Sequence, residues 1–422
     1  MYHRLRVGLL VVFCLSIGNL FGLFAQHSTD YYSLSMVGNA GNGIFAPYYL
    51  SANKHGLVTH SKSGYLRASV FKGLEMNKRF SYEFGIDLVG LMSSTSPVSY
   101  YSDGNLKTYN PGVSSFLIQQ AYIGMKYRMI FISAGCRELT DEVVNFELSS
   151  GGLVWSGNAR PIPQVRAGFI DFVDIPFTKG WVQIKGELAY GKFMDNDFLR
   201  DHYNYYNQYI TTDALYHHKS ISFRSNPDKP FVVTIGAELA AQFGGTKRYY
   251  EKGILIDSLT MKSPTRLKDF FKILFPSSGD GQTNEGDQAY YYGNHVGQWN
   301  LSAEYRFKDN SSVRGYFEWY FDDASGMGKF NGWDGLWGLE YKSGKKNWLS
   351  NVVLEYLDMT NQSGPLNWCP SDYNDPKLDI EATGADDYYN NYFYNGWAHY
   401  GLSNGTAMAK SCLLYTSPSP RD

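Results

Sequence analysis

Long apolar runs are scarce in this 422-residue chain. Past the N-terminus no stretch approaches the roughly 18 residues of a spanning helix, which excludes a transmembrane helix there. Charge is scarce too. Charged residues make up 18% of the chain and the net charge is −2, so no basic nucleic-acid surface is expected. Cysteine is limited to four positions, Cys14, Cys136, Cys369 and Cys412. That is too few for a disulfide framework, and no C-x-x-C or Cys/His cluster suggests zinc. The HExxH, GxSxG and GxxxxGK[ST] patterns are all absent, and no cofactor is expected. The chain is instead rich in aromatics, 17% with 35 Tyr, and in Gly, with 43.

The two ends stand apart. His3, Arg4 and Arg6 precede an apolar stretch from Val7 to Phe24 and a small residue, Ala25. This is the layout of a secretory signal over 1–25; the alternative is a membrane anchor. Cys412 to Asp422 reads CLLYTSPSPRD, like a sequencing adapter translated in frame, the alternative being a genuine polar tail. Native sequence is then expected over 26–411, with the gene cut short.

Between the ends, period-two alternation recurs. Trp299, Leu301, Ala303, Tyr305 and Phe307 alternate with Asn300, Ser302, Glu304 and Arg306. After the turn KDNSS, Val313, Gly315, Phe317, Trp319 and Phe321 alternate with Arg314, Tyr316, Glu318 and Tyr320. Successive side chains of a strand point to opposite faces, so this is a hairpin with one aromatic and one polar face. Fourteen strands are expected, near 31–38, 63–72, 80–91, 116–126, 130–137, 164–172, 181–191, 215–224, 231–243, 299–307, 313–321, 335–342, 348–357 and 393–402. The clearest are longer than soluble strands commonly run. Short and long connections alternate, as in an up-and-down antiparallel transmembrane β-barrel with short turns inside and long loops outside. A soluble sandwich is the alternative, with no reason for that asymmetry. The longest connection carries one amphipathic helix, with Ser263 as N-cap, Pro264 next, and a stripe of Leu267, Phe270, Phe271 and Leu274 to bury against the barrel rim.

In a barrel the aromatic faces meet lipid and the polar faces line the interior. Interior candidates are Glu83, Asp87, Lys185, Glu187, Glu238, Glu304, Arg306, Arg314, Glu318, Glu340 and Glu355. The adjacent His217 and His218 fall on opposite faces and cannot share a metal. Asp386–Asp387 is the one acidic pair worth naming for acid/base work, and adjacent acids in a Tyr/Asn-rich loop are ordinarily just solvated.

Two loop segments carry a binding signature. Ser150 to Arg166, SGGLVWSGNARPIPQVR, combines Trp155, Asn158, Arg160, Gln164 and Arg166. Tyr388 to Gly401, YYNNYFYNGWAHYG, contributes Tyr394 and Trp397. Aromatic faces with amide and guanidinium donors around them suit a polysaccharide, whose sugars offer CH faces and hydroxyl edges. Girdle and loop packing in a membrane barrel would also call for Tyr and Trp.

At these segments the chain resembles the capsule assembly Wzi family of outer-membrane proteins, in the form found in Bacteroides-like bacteria. The resemblance rests on SGGLVWSGNARPIPQ, ELAYGKFMDNDFLRDHY (Glu187 to Tyr203), ALYHHKS (Ala214 to Ser220), GNHVGQW (Gly293 to Trp299) and YFYNGWAHYG (Tyr392 to Gly401), in order over most of the chain. It implies a barrel of about 18 strands closed by extracellular loops. It also implies lectin-like handling of capsular or other exopolysaccharide at the cell surface, without catalysis. Expected partners are that polysaccharide, outer-membrane lipid and the barrel assembly machinery. The chain departs from the family after Gly401, lacks a terminal aromatic, and shows no N-terminal helical bundle. A general porin or sugar channel is the other reading.

Overall fold

Where β-branched and aromatic residues alternate with polar ones, the chain is extended, because such side chains pack well on a pleated surface. The computed structural model describes residues 30–110, 116–139, 143–284, 287–288, 291–322, 327–328, 332–345, 348–361 and 388–409. The expected export signal, the adapter-like tail and the Asp386–Asp387 pair lie outside the described residues.

Thirteen strands form an antiparallel meander: β1 (Asp30–Phe45), β2 (His60–Lys72), β3 (Phe80–Ser93), β4 (Phe116–Tyr127), β5 (Ile130–Cys136), β6 (Gln164–Phe169), β7 (Val182–Lys192), β8 (Gln208–Ser225), β9 (Phe231–Glu251), β10 (Asn294–Arg306), β11 (Ser312–Phe321), β12 (Gly335–Lys342) and β13 (Asn351–Asp358). Each pairs with the next, and three two-residue strands complete a 16-stranded sheet. Among the described residues β1 and β13 are the two ends of this order. Connections at one end are short, such as 128–129, 226–230 and 307–311, and those at the other are long, up to 252–293. No helix of the described residues is long and apolar enough to cross a membrane.

The sheet inverts the burial of a soluble protein. On β3, Phe80, Tyr82 and Ile86 are 57%, 55% and 51% exposed, while Ser81, Glu83 and Asp87 between them are 4%, 4% and 0% exposed. Charge on the inner face is tolerable only when paired. Arg67 binds Asp87 and, at 2.8 Å, Glu138. Arg137 meets Glu83 at 2.9 Å, Arg166 meets Glu187 at 2.5 Å, and Arg314 meets Glu340 at 2.5 Å. His218 lies inside, 2.8 Å from Glu238. A β-bulge opposite Asp87 and Leu88 turns Gln119 and Gln120 both inward, where both donate to Glu138.

Three expectations need correcting. Residues 393–402 do not form a fourteenth strand of the sheet. Gly396, Tyr400 and Gly401 have positive φ, and only Ala398–His399 and Leu402–Ser403 pair, with each other. The helix starts later than Ser263. The chain is still paired to β9 through Met261–Lys262, and the Ser263 N–H donates to Gly245 O, so it is still extended along that strand at Ser263. The helix is Leu267–Leu274, with the Asp269 carboxylate accepting from the Arg266 N–H at 2.8 Å. It also misses the mouth: Phe270 and Ile273 pack on the outer face of the wall.

Candidate functional site

The interior between the walls is filled by two loops, 143–163 and 388–406. A loop inside a barrel has backbone donors without a ladder to satisfy them. Here the wall supplies acceptors. Glu318 of β11 accepts from the Leu153 N–H at 2.8 Å, and Gln298 of β10 accepts from Val154 at 2.9 Å. Glu355 of β13 accepts from the Ser150 N–H at 2.7 Å and the Ser149 hydroxyl at 2.6 Å. Glu340 accepts from the Asn145 amide at 2.6 Å. The interior carboxylates thus act as a rack that fixes the first loop's path.

The second loop locks onto the first. The Trp397 indole N–H donates to Val154 O at 2.8 Å, and the Tyr389 hydroxyl donates to Leu153 O. The Asn158 amide donates to Ser403 O at 3.0 Å, and the Ser156 hydroxyl to Gly405 O at 2.6 Å. Gln242 of β9 donates to Gly396 O at 2.9 Å, tying the second loop to the wall. Trp397 is fully buried, stacked on Tyr216 of β8 with ring centroids 6.1 Å apart.

Of the residues singled out by sequence, Trp155, Asn158, Gln164, Tyr394 and Trp397 are all buried in or beside this plug. The Trp155 ring nitrogen has no partner among the described residues. Arg166 is committed to Glu187 on the inner wall. Arg160 is only half-buried and lies 4.0 Å over the ring of Tyr400. The structure therefore brings Trp155, Asn158, Arg160, Tyr394 and Trp397 into the two plug loops and sets Gln164 and Arg166 beside them on β6, with Arg160 and Tyr400 half-buried together.

One titratable pair sits at the seam. The His399 Nδ1–H donates to Arg160 O at 2.8 Å, and its Nε2 accepts from the Met194 N–H at 3.2 Å, which specifies the neutral imidazole. Burial holds this histidine below its usual pKa, against the opposing pull of Asp195. Asp195 accepts from the Tyr400 N–H at 3.1 Å, and burial raises its carboxyl above the usual range despite His399 nearby.

Above the plug stands a surface that sequence reading missed. Gly244 and Gly245, both with positive φ, kink β9, and beyond them the start of β8 and the end of β9 continue as a two-stranded ribbon. Tyr209 packs against Tyr249, Tyr392 and Phe393, and Tyr205 against Tyr250 at 4.9 Å. The hairpin of Val98–Ser102 and Asn105–Tyr109 joins through the Tyr101 N–H to Asn204 O and the Gly104 N–H to Lys252 O, both 2.8 Å. Tyr101 also packs on Tyr206. Tyr392 is 60% and Tyr206 41% exposed. The signal for this crown was present as Tyr-Tyr doublets at 205–206 and 249–250.

No family model and no curated sequence matches the chain. A solved structure does. It is Wzi of Escherichia coli, described as an outer-membrane protein involved in group 1 capsule assembly and as a carbohydrate-binding β-barrel. The TM-score is 0.50 at 13% identity, over 91% of this chain and 65% of that one. What the two share is the fold. This chain spans just under two thirds of the length of that relative. The family resemblance read from the sequence is thus met at the level of fold.

Proposed function

We propose that this chain is an outer-membrane barrel of the Wzi kind that holds capsular or other exopolysaccharide at the cell surface, without catalysis. The observation that carries the reading is the long-loop end: two interlocked loops fill the mouth, and an exposed tyrosine-rich crown stands above them. Such a molecule offers a polymer a surface rather than a hole. Flat phenol rings with polar edges suit sugar CH faces and hydroxyls. An inverted sheet, apolar outside and polar inside, suits lipid around it and insertion by the barrel assembly machinery. An export signal at 1–25 belongs with this location.

In this reading Arg160, with Tyr400 beneath it, touches polysaccharide directly. Trp155, Asn158, Gln164, Tyr394, Trp397 and Arg166 act by holding the plug in the shape that presents it. Tyr392 and Tyr206 supply ring faces. Each aromatic–sugar contact is given a value near that of an aromatic pair, about 1 kcal/mol, so Tyr392→Ala with Tyr206→Ala should weaken binding by roughly tenfold or more. The assay is retention of the purified protein on immobilised capsular polysaccharide, with Arg160→Ala in parallel. If none of these variants loses retention while the parent binds, the crown and the Arg160 edge are not the site.

A further inference from the structure

The helix α1 (Leu267–Leu274) lies on the outside of the barrel wall. Register fixes the side. His217 of β8 is opposite Tyr190 of β7 and Ala241 of β9, and Ala241 is opposite His295 of β10. On the same faces of β8 and β9, Ile221, Phe223 and Ile235 are exposed outward. The helix covers the long-loop end of this face. Phe270 packs on Tyr190 and Phe243, each at 5.3 Å, and Ile273 is fully buried.

What it covers is polar. Bare to lipid, an outward lysine on a membrane strand is strongly unfavourable. Lys219 instead donates to Ile273 O at 3.3 Å and to Leu274 O, carbonyls of the last helical turn that lack intrahelical partners. Its charge also complements the negative end of the helix dipole. His295 Nε2 meets Tyr292 O at 2.9 Å, and the Tyr190 hydroxyl donates to Phe270 O at 3.0 Å. The wall is therefore built to hold this helix.

The helix's other side is built for something else. At 3.6 residues per turn, Leu267, Phe271 and Phe275 fall within an arc of about 80°. Leu267 is 76%, Phe271 56% and Phe275 69% exposed. Both lysines of the helix, Lys268 and Lys272, lie on one side of that arc, and Lys268 is paired there with Asp280 at 3.1 Å. From Lys219 to the short-turn end of β8 at Ser225 is about 20 Å of strand, or about 15 Å along the normal at the usual tilt. The apolar band of such a barrel is about 25 Å tall, so the end of the helix falls within its outer half.

We propose that α1 is seated in the membrane. Leu267, Phe271 and Phe275 lie among the acyl chains of the outer leaflet, and Lys272 beside them faces its lipid phosphates. The apolar arc continues the exposed apolar face of Ile221, Phe223 and Ile235, and the cation of Lys272 beside it complements an anionic headgroup layer. The proposal rests on the outer-membrane reading above, and its test separates the two.

The test places single spin labels in the full chain, its native cysteines replaced by alanine, in vesicles of phosphatidylethanolamine and phosphatidylglycerol. Labels go at Phe271→Cys on the helix, Ile235→Cys on the outer wall and Asp228→Cys in a short turn, with Leu267→Cys as a second helix position. Collision with oxygen is compared with collision with a water-soluble nickel chelate. The expected result is an oxygen preference at the helix sites several-fold above Asp228 and close to Ile235. A water-like ratio on the helix with a lipid-like ratio at Ile235 overturns the seated helix and leaves the barrel. Water-like ratios at both overturn the membrane reading, and the seated helix with it. Shielding from both probes with dipolar broadening between labels overturns the lipid contact in favour of a second copy.

Discussion

His399 shows how much a single side chain is asked to do. Its ring bridges Arg160 O of one plug loop and the Met194 N–H beside the other, and only the neutral ring can do both. Burial lowers its pKa in the folded state, whereas a released loop would take up the proton near the usual 6.5. Below that value the released state binds more protons, so docking of the second loop is fully favoured above about pH 6.5 and weakens as pH falls. Asp195, raised by burial, works the other way, since its protonation in acid favours the buried state. Protection from hydrogen exchange across 388–409, taken relative to the intrinsic base-catalysed rate at each pH, should therefore fall between pH 7 and 5, and His399→Gln should flatten that dependence. Equal protection factors at both pH values in the parent would refute it. At this scale the sequence was half legible. Trp155, Asn158 and Arg160 were visible as rings beside donors, but a sugar site and a dry, fully hydrogen-bonded loop interior call for the same residue types. Burial alone separates them, and burial is a tertiary property.

Among elements, the strands were the most legible, because a period of two leaves its mark in every pair of residues. The exception, 393–402, reads as alternating aromatics. Yet Asn391 caps a turn by accepting from the Phe393 and Tyr394 N–H groups, and Gly396, Tyr400 and Gly401 turn the backbone left-handed. Local side chain–backbone bonds outcompeted the ladder there. The helix was found by its stripe and misplaced by its loop length. A 42-residue connection (252–293) reaches over the rim as easily as across it. The clue was Lys219, a cation on the strand face that carries Ile221 and Phe223 outward. Lys219→Met should free the last turn of α1: exchange in 270–275 should rise while the melting of the sheet moves little. An unchanged helix would show that Phe270 and Ile273 suffice to hold it.

For the whole molecule, the inverted sheet and the filled mouth point to different surroundings for its two faces. Apolar side chains such as Tyr82 and Ile86 stand outside, on the face away from the buried cluster, while the inside is organised by Glu318, Gln298 and Glu355 around the first loop. Porins of comparable width keep this space for water. Planar-bilayer recordings should accordingly find the parent closed to ions, and deletion of 145–160 should open steps of conductance. A large conductance in the parent would favour the porin reading and displace the lectin-like one.

The interlock also sets a timetable. Asn158 meets Ser403, its partner 245 residues later, and Trp397 meets Val154 across 243. As the meander is laid down, the first loop can find its rack only once β10, β11 and β13 stand beside it. Its cover arrives later still. Closing such distant contacts is the slow part of building any chain. The barrel interior therefore stays wet, and 143–163 open to a protease, until the last described residues are in place; the mouth is sealed at the end of assembly rather than at the beginning.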